Sequence, residues 1–166
     1  MYRSLDSSTK TLKFNRIDTL AVYDGGVVLY YRSMSYVDGF VFPIRREKID
    51  EYRLIAEKAG EIWMKHGALA YYECIGEDLT PHIMEESDPE CPPPEPFPHM
   101  ARAEEGETVG FSFIIYRDRA DRDRINAAVM ADPDMQDPNL TPERMPFDMS
   151  RMAYGGFSVL VGRGTK

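Results

Sequence analysis

Residues 108–116, TVGFSFIIY, decide the fold. A β-strand sends alternate side chains to opposite faces of its sheet. One parity here holds Val109, Phe111, Phe113 and Ile115, while the other still holds Ile114 and Tyr116. A strand that is apolar on both sides belongs in a sheet that is covered on both faces.

Directly C-terminal to it, DRADRDRINAAVMAD (118–132) is a helix, with Asp118 a natural N-cap and Asp121 three residues on. Pro133 and Pro138 end it, and RMAYGGFSVLVG (151–162) is the last strand, whose Gly155-Gly156 marks a bulge or a close backbone approach. Upstream, YVDGFVFPI (36–44) alternates as a strand that Pro43 ends, with Val37 and Val41 on one side and Phe40 and Phe42 on the other. REKIDEYRLIAEKAGEIWMKHG (46–67) spaces Ile49, Tyr52, Ile55, Ala56, Ala59, Ile62 and Trp63 as an amphipathic helix, and Gly67 is its left-handed stop. Arg53 with Glu57, and Glu61 with Lys65, supply i,i+4 pairs on its wet face. ALAYYECIG (68–76) is another strand. Residues 78–107, with DPECPPPEPFP at their centre, form an exposed loop because prolines lack the backbone donor; MARA (100–103) is read as a short returning strand.

The order strand–helix–strand–strand–helix–strand predicts an α+β domain of ferredoxin-like βαββαβ type: a four-stranded antiparallel sheet with two helices on one face. Two helices cover only one side. Leaving four large side chains wet on the other forgoes about 6–12 kcal/mol, against a net domain stability of about 5–15 kcal/mol. An identical sheet is the expected cover, giving a homodimer through the open face; the alternative is that the N-terminal segment or the proline loop folds over it.

A chain of 166 residues with this composition is a one-domain globule, expected over 34–163 with a proline-rich loop near 80–98. Residues 1–33 are set apart: MYRSLDSSTKTLKFNR (1–16) is polar and aperiodic and reads as disordered, while YDGGVVLYYRS (23–33) pairs as a short strand after an Asp-Gly turn. Two explanations compete for them, an extension carrying an extra edge strand or a translation start assigned upstream of Met34, and the second is favoured. The net charge of −8 argues against nucleic-acid and anionic-membrane partners. No run approaches the length of a membrane span, and charges from Arg3 to Asp18 interrupt any signal-peptide core, so a cytoplasmic location is expected. Two cysteines, Cys74 and Cys91, suit a reduced protein, with Cys74 read as a packed thiol.

Four stretches together carry a resemblance: MSYVDGFVFPI (34–44), EKAGEIWMKHGALAYYECIGEDL (57–79), EEGETVGFSFIIYRDRADRDRINAAVMADPDM (104–135) and MPFDMSRMAYGGFSVLV (145–161). In that order they resemble the YbaA-like bacterial family, a domain of unknown function, over Met34 to about Gly162. The resemblance implies a ferredoxin-like subunit that pairs into a dimeric α/β barrel, and a start at Met34. It implies no activity. Residues 1–33 and the proline-rich 87–96 depart from the family pattern.

Chemistry is harder to place. His66, His82 and His99 make no HxxxH or HExxH, and no CxxC occurs, so neither a metal nor a cofactor is expected. No phosphate-binding loop or GxSxG elbow is present. His66, in the last turn of its helix, is a weak catalytic candidate whose structural role is to meet the negative helix end. In MPFDMSRMAYGGF (145–157), Asp148 and Arg151 are catalytic candidates and Tyr154 a ligand-binding one, set among methionines and phenylalanines able to orient a small organic ligand. Against that stands a plain turn ion pair between Asp148 and Arg151. Trp63 and Tyr72 are candidates to line the same crevice, and Asp38 is either edge-exposed or an unusual buried acid. The alternating charges of RDRADRDR read as a solvated helix face stitched by Asp118–Arg122 and Arg119–Asp123 pairs. Two functions stay open, whether or not catalysis occurs. One is a dimeric protein binding or transforming a small organic molecule between sheet and helices; the other is a non-catalytic dimeric binding or stress-associated protein.

Overall fold

A computed structural model describes residues 22–23, 26–27, 35–80, 94–136 and 144–162. The readings of residues 1–16 as disordered and of His82 and Cys91 as loop residues lie outside the described residues, as does most of the proline-rich stretch. A short antiparallel hairpin, β1 (Val22–Tyr23) with β2 (Gly26–Val27), flanks residues 24–25.

The main sheet is built on two long strands. β3 (Tyr36–Arg45) runs antiparallel to β5 (Glu107–Tyr116) along its whole length, from Tyr36 opposite Tyr116 to Arg45 opposite Glu107. β4 (Ala70–Ile75) pairs with the free side of β5, and β6 (Ala153–Ser158) with the free side of β3. The order is β4-β5-β3-β6, antiparallel throughout. Helix α1 (Ile49–His66) joins β3 to β4, and α3 (Arg119–Met130) lies between β5 and β6. The result is an α+β fold with an open four-stranded antiparallel sheet.

Local chemistry sets the helix ends. The Asp118 side chain accepts from the Asp121 amide at 2.8 Å, capping α3. Gly67 ends α1 at φ +105°, a left-handed conformation that glycine adopts without a Cβ clash. Both helices pack on the sheet face that carries Tyr36, Ile114 and Tyr116, where Ile62 of α1 meets Ile125 and Val129 of α3. A second buried group joins Phe42 and Ile44 to Tyr52 and Ala56, and Phe40 packs against both groups.

Several local expectations are corrected. Pro43 does not end its strand: β6 pairs with β3 only as far as Val41, so the missing N–H of Pro43 faces no neighbour strand. Residues 100–103 are not a strand. Pro96 and Pro98 instead start the short helix α2 (Phe97–Met100), proline being suited to a first helical turn, and Ala101 behind it is buried. At Gly155-Gly156 the register with β3 is unbroken, so the glycines mark a close approach: a Cβ on Gly156 would lie 2.4 Å from Tyr36 Oη. On α1, Arg53 reaches Asp50, and Lys65 reaches Asp132 of the α3 side.

The opposite sheet face carries Tyr72, Cys74, Phe111 and Phe157, all exposed, with Val37, Val41, Phe113 and Ile115 partly covered. Phe113 stacks on Tyr72 at 4.9 Å and leans on Phe111 at 5.5 Å. α2 packs on β5 at one end of this face, where Val109 and Pro43 are buried and Phe97 lies 6.4 Å from Phe111. Cys74 is therefore an exposed thiol in the single chain rather than a packed one.

Candidate functional site

In β4, Tyr71, Glu73 and Ile75 share one face by strand period, and that face looks toward α1. Register places Glu73 opposite Ser112 of β5, and α1 brings Tyr52 above both. All three neighbouring hydroxyls donate to the Glu73 carboxylate: Tyr52 at 2.5 Å and Ser112 to Oε2, and Tyr71 at 2.6 Å to Oε1. Burial, reinforced by the Glu73 charge, pushes both phenols well above the usual tyrosine value. They stay protonated and keep donating.

This cluster forms the polar floor of a cavity of about 470 Å³ between sheet and helices. Phe40, Phe42, Trp63 and Phe147 supply aromatic wall, and Met135, Met145, Met149 and Met152 supply adaptable apolar wall. A neighbouring groove of about 480 Å³, on the Ile49, Arg53, Glu57 and Met64 side of α1, shares Tyr52, Tyr71 and Glu73 with it. The carboxylate thus stands where two openings meet.

A second buried polar group lies deeper. Asp38 is 1% exposed, so it is buried and not an edge residue. Its Oδ1 faces Arg122 Nε at 3.4 Å, and its Oδ2 accepts from Asn126 Nδ2 at 3.2 Å. Arg122 also donates to Tyr36 Oη at 3.1 Å, with its guanidinium 5.0 Å from the centre of that ring. Tyr116 donates to Asn126 Oδ1 at 2.9 Å, and Trp63 Nε1 donates to Tyr116 Oη at 3.1 Å. This network joins buried Asp38 to a wall residue of the cavity. It also corrects the solvated-face expectation for RDRADRDR, because Arg122 turns inward while Arg124 pairs outside with Asp121 at 2.7 Å.

The sequence candidates separate in space. Trp63 lines the cavity. Tyr72, one residue out of phase with Tyr71 and Glu73, lies on the opposite sheet face and is 50% exposed. Tyr154 stacks on Phe40 at 4.9 Å, and its hydroxyl is raised by burial first and then by the Asp38 charge. Asp148 caps a 3-10 turn over Met149–Arg151 and lies 3.3 Å from Arg151. Arg151 holds Glu107 through two bonds of 2.7 and 2.8 Å, and these hold Glu107 below the usual carboxylate range. The pair lines a smaller pocket outside the cavity, although Met149 and Met152 beside it do line the cavity. His66 bonds Asp132 at 2.6 Å; Lys65 first and His66 second keep that carboxyl below its ordinary value, and together they clasp the ends of α1 and α3. Among the described residues, no group of three or more His, Cys, Asp or Glu is arranged to hold a metal ion, and no helix is long and apolar enough to cross a membrane.

Glu73 went unremarked in the sequence. The signal was there: a lone acid in an apolar strand, in phase with Tyr71. Its partners Ser112 and Tyr52 depend on long-range pairing that spacing does not encode.

Comparison with known proteins adds lineage. The family described as "Protein of unknown function (DUF1428)" matches residues 35–149, a span that includes Tyr52, Tyr71, Glu73 and Ser112. Proteins titled "Uncharacterized protein YbaA" from Escherichia coli K12, Escherichia coli O157:H7 and Shigella flexneri are each 38% identical over 128 residues. The match covers 77% of this chain and 98% of each relative. The chain therefore belongs to the DUF1428 family, the YbaA-like domain of unknown function that its motifs resemble.

Proposed function

We propose that this chain is a ferredoxin-like subunit, folded over 34–163, that pairs through its uncovered sheet face into a dimeric α/β barrel. In that form it binds a small organic molecule in the crevice between sheet and helices. The βαββαβ succession and the β4-β5-β3-β6 order support the ferredoxin-like assignment, and the exposed aromatics of the other face support the pairing. Its location is cytoplasmic, and the acidic balance speaks against nucleic-acid and anionic-membrane partners.

One observation carries the ligand: an aromatic- and methionine-walled cavity of about 470 Å³ with a single hydrogen-bonded carboxylate cluster on its floor. Ligand sites are typically roughly 300–1,000 Å³, mostly apolar, with a few convergent polar groups. Binding is favoured over turnover, because the Glu73 oxygens already accept three hydroxyl protons within the protein. Trp63 is a wall of that site. Asp148 and Arg151 serve it at one remove, by fixing to β5 the segment that bears Met149 and Met152.

A thermal-shift screen of chemically diverse metabolites tests the site. At least one compound is expected to raise Tm of the native protein and leave Ala59→Phe unmoved, since Ala59 lines the cavity and the larger ring would fill it. Absence of any shift across the screen, or shifts that survive Ala59→Phe, would overturn the proposal.

A further inference from the structure

The hydrogen-bond directions in the crevice restrict the chemistry of its ligand. Tyr52, Tyr71 and Ser112 spend their protons on Glu73, and Trp63 spends its N–H on Tyr116 and Asn126. Lys58, on the α1 rim, has an interaction of its own. At the floor, what Tyr52, Tyr71, Ser112 and Glu73 still offer a guest is lone pairs, on the carboxylate and on the hydroxyl oxygens around it. Asp134 adds a second carboxylate to the lining.

At that floor a carboxylate or phosphate guest would meet acceptors and like charge, away from the Lys58 rim, and its desolvation there would go uncompensated. A protonated amine meets the reverse. It donates to lone pairs, neutralises a half-buried carboxylate, and lies among the rings of Phe40, Tyr52, Trp63, Tyr71 and Phe147, whose faces attract cations.

We infer that the crevice selects a small organic amine: an ammonium head received by Glu73 and its hydroxyls, and an apolar body held by the aromatic and methionine walls. The inference rests on the crevice being a ligand site and adds the charge class of what enters it.

Trp63 is the chain's single tryptophan and lines the cavity, so its fluorescence reports occupancy directly. Phenethylamine, phenethyl alcohol and phenylacetate share an aromatic body and differ in head group. Titrated against the full-length protein at neutral pH, where the amine is charged, phenethylamine is expected to change Trp63 emission saturably. It should bind roughly tenfold or more tighter than the alcohol, the ratio a charge-assisted hydrogen bond supplies. Phenylacetate should leave the emission unchanged. Glu73→Gln, with its circular dichroism unaltered, should bring amine and alcohol to within about threefold of each other, the carboxylate charge being what separates them.

Equal binding of amine and alcohol, or tight binding of the acid, would overturn amine selectivity while leaving the crevice a ligand site. A Glu73→Gln protein that keeps the native preference would overturn the role of Glu73. No response to any of the three overturns the amine class, and the metabolite screen with Ala59→Phe then decides separately whether the crevice binds anything. The native series needs no variant, so it stands even if Glu73→Gln fails to fold.

Discussion

Arg151 shows how far one residue can be understood from its neighbours in sequence. Its i,i+3 partner Asp148 was legible from spacing alone. Its stronger partner Glu107, 44 positions away, was not, because only the assembled fold brings the start of β5 beside the turn before β6. The pair has a pH signature. The Arg151 hydrogen bonds depress the folded-state pKa of Glu107, so the stability it contributes is present above the carboxyl's unfolded value and is lost as pH falls through the folded one. Arg151→Met is expected to cost about 1–3 kcal/mol at neutral pH, much of it from leaving a largely buried carboxylate unpaired. That deficit should shrink below about pH 4, as Glu107 takes up a proton. Urea denaturation of both proteins at the two pH values checks it; a deficit independent of pH would mean that the guanidinium acts through packing. Glu73 gives the complementary lesson. Strand period could have marked it, an acid in phase with Tyr71 in an apolar strand, yet its meaning lies in Tyr52 and Ser112, which no local pattern connects to it.

Helix α3 was readable in outline and misread on one face. Its start was plain from Asp118, which the structure bears out, and its buried apolar positions prove to be Ile125 and Val129. The alternating charges concealed Arg122. Helical geometry sets residues i, i+3 and i+7 on one side, so Arg122 belongs with Ile125 and Val129, facing the sheet, and it meets the buried Asp38 there. Charge alternation obeys period two while a helix obeys 3.6, and the second rule wins. The cap provides the element's test. Asp118→Ala removes the acceptor for the Asp121 amide and is expected to cost about 1 kcal/mol, whereas Asp118→Asn, also a good N-cap, should cost only a few tenths. Equilibrium denaturation of the two variants measures the difference. If alanine and asparagine proved equal, the side-chain bond would contribute nothing to the helix.

At the scale of the molecule, the sheet was legible because both parities of β3 and β5 are apolar, and α1 and α3 cover just one of the two faces so described. On the other, Tyr72, Phe111 and Phe157 remain 50%, 42% and 60% exposed while α2 shelters only the Val109 end. Sequence could show that this face needs a cover, not which cover it has, since a second copy and a segment of the same chain satisfy the same hydrophobic demand. A two-fold partner sets like residues near like, and here that means rings against rings, with the charged Arg45 and Glu107 of this face kept to its Val109 end. The proposed dimer should therefore sediment as two chains at micromolar concentration, and Phe111→Lys combined with Phe157→Lys should sediment as one, because burying two ammonium groups without partners costs several kcal/mol per ion. Cys74 reports independently from the same face. Its labelling by a maleimide, located by peptide mass spectrometry, should be slow in the native protein and fast in the double variant. A native protein that sediments as a single chain and labels at Cys74 as quickly as the variant would leave the face open to solvent and remove the barrel.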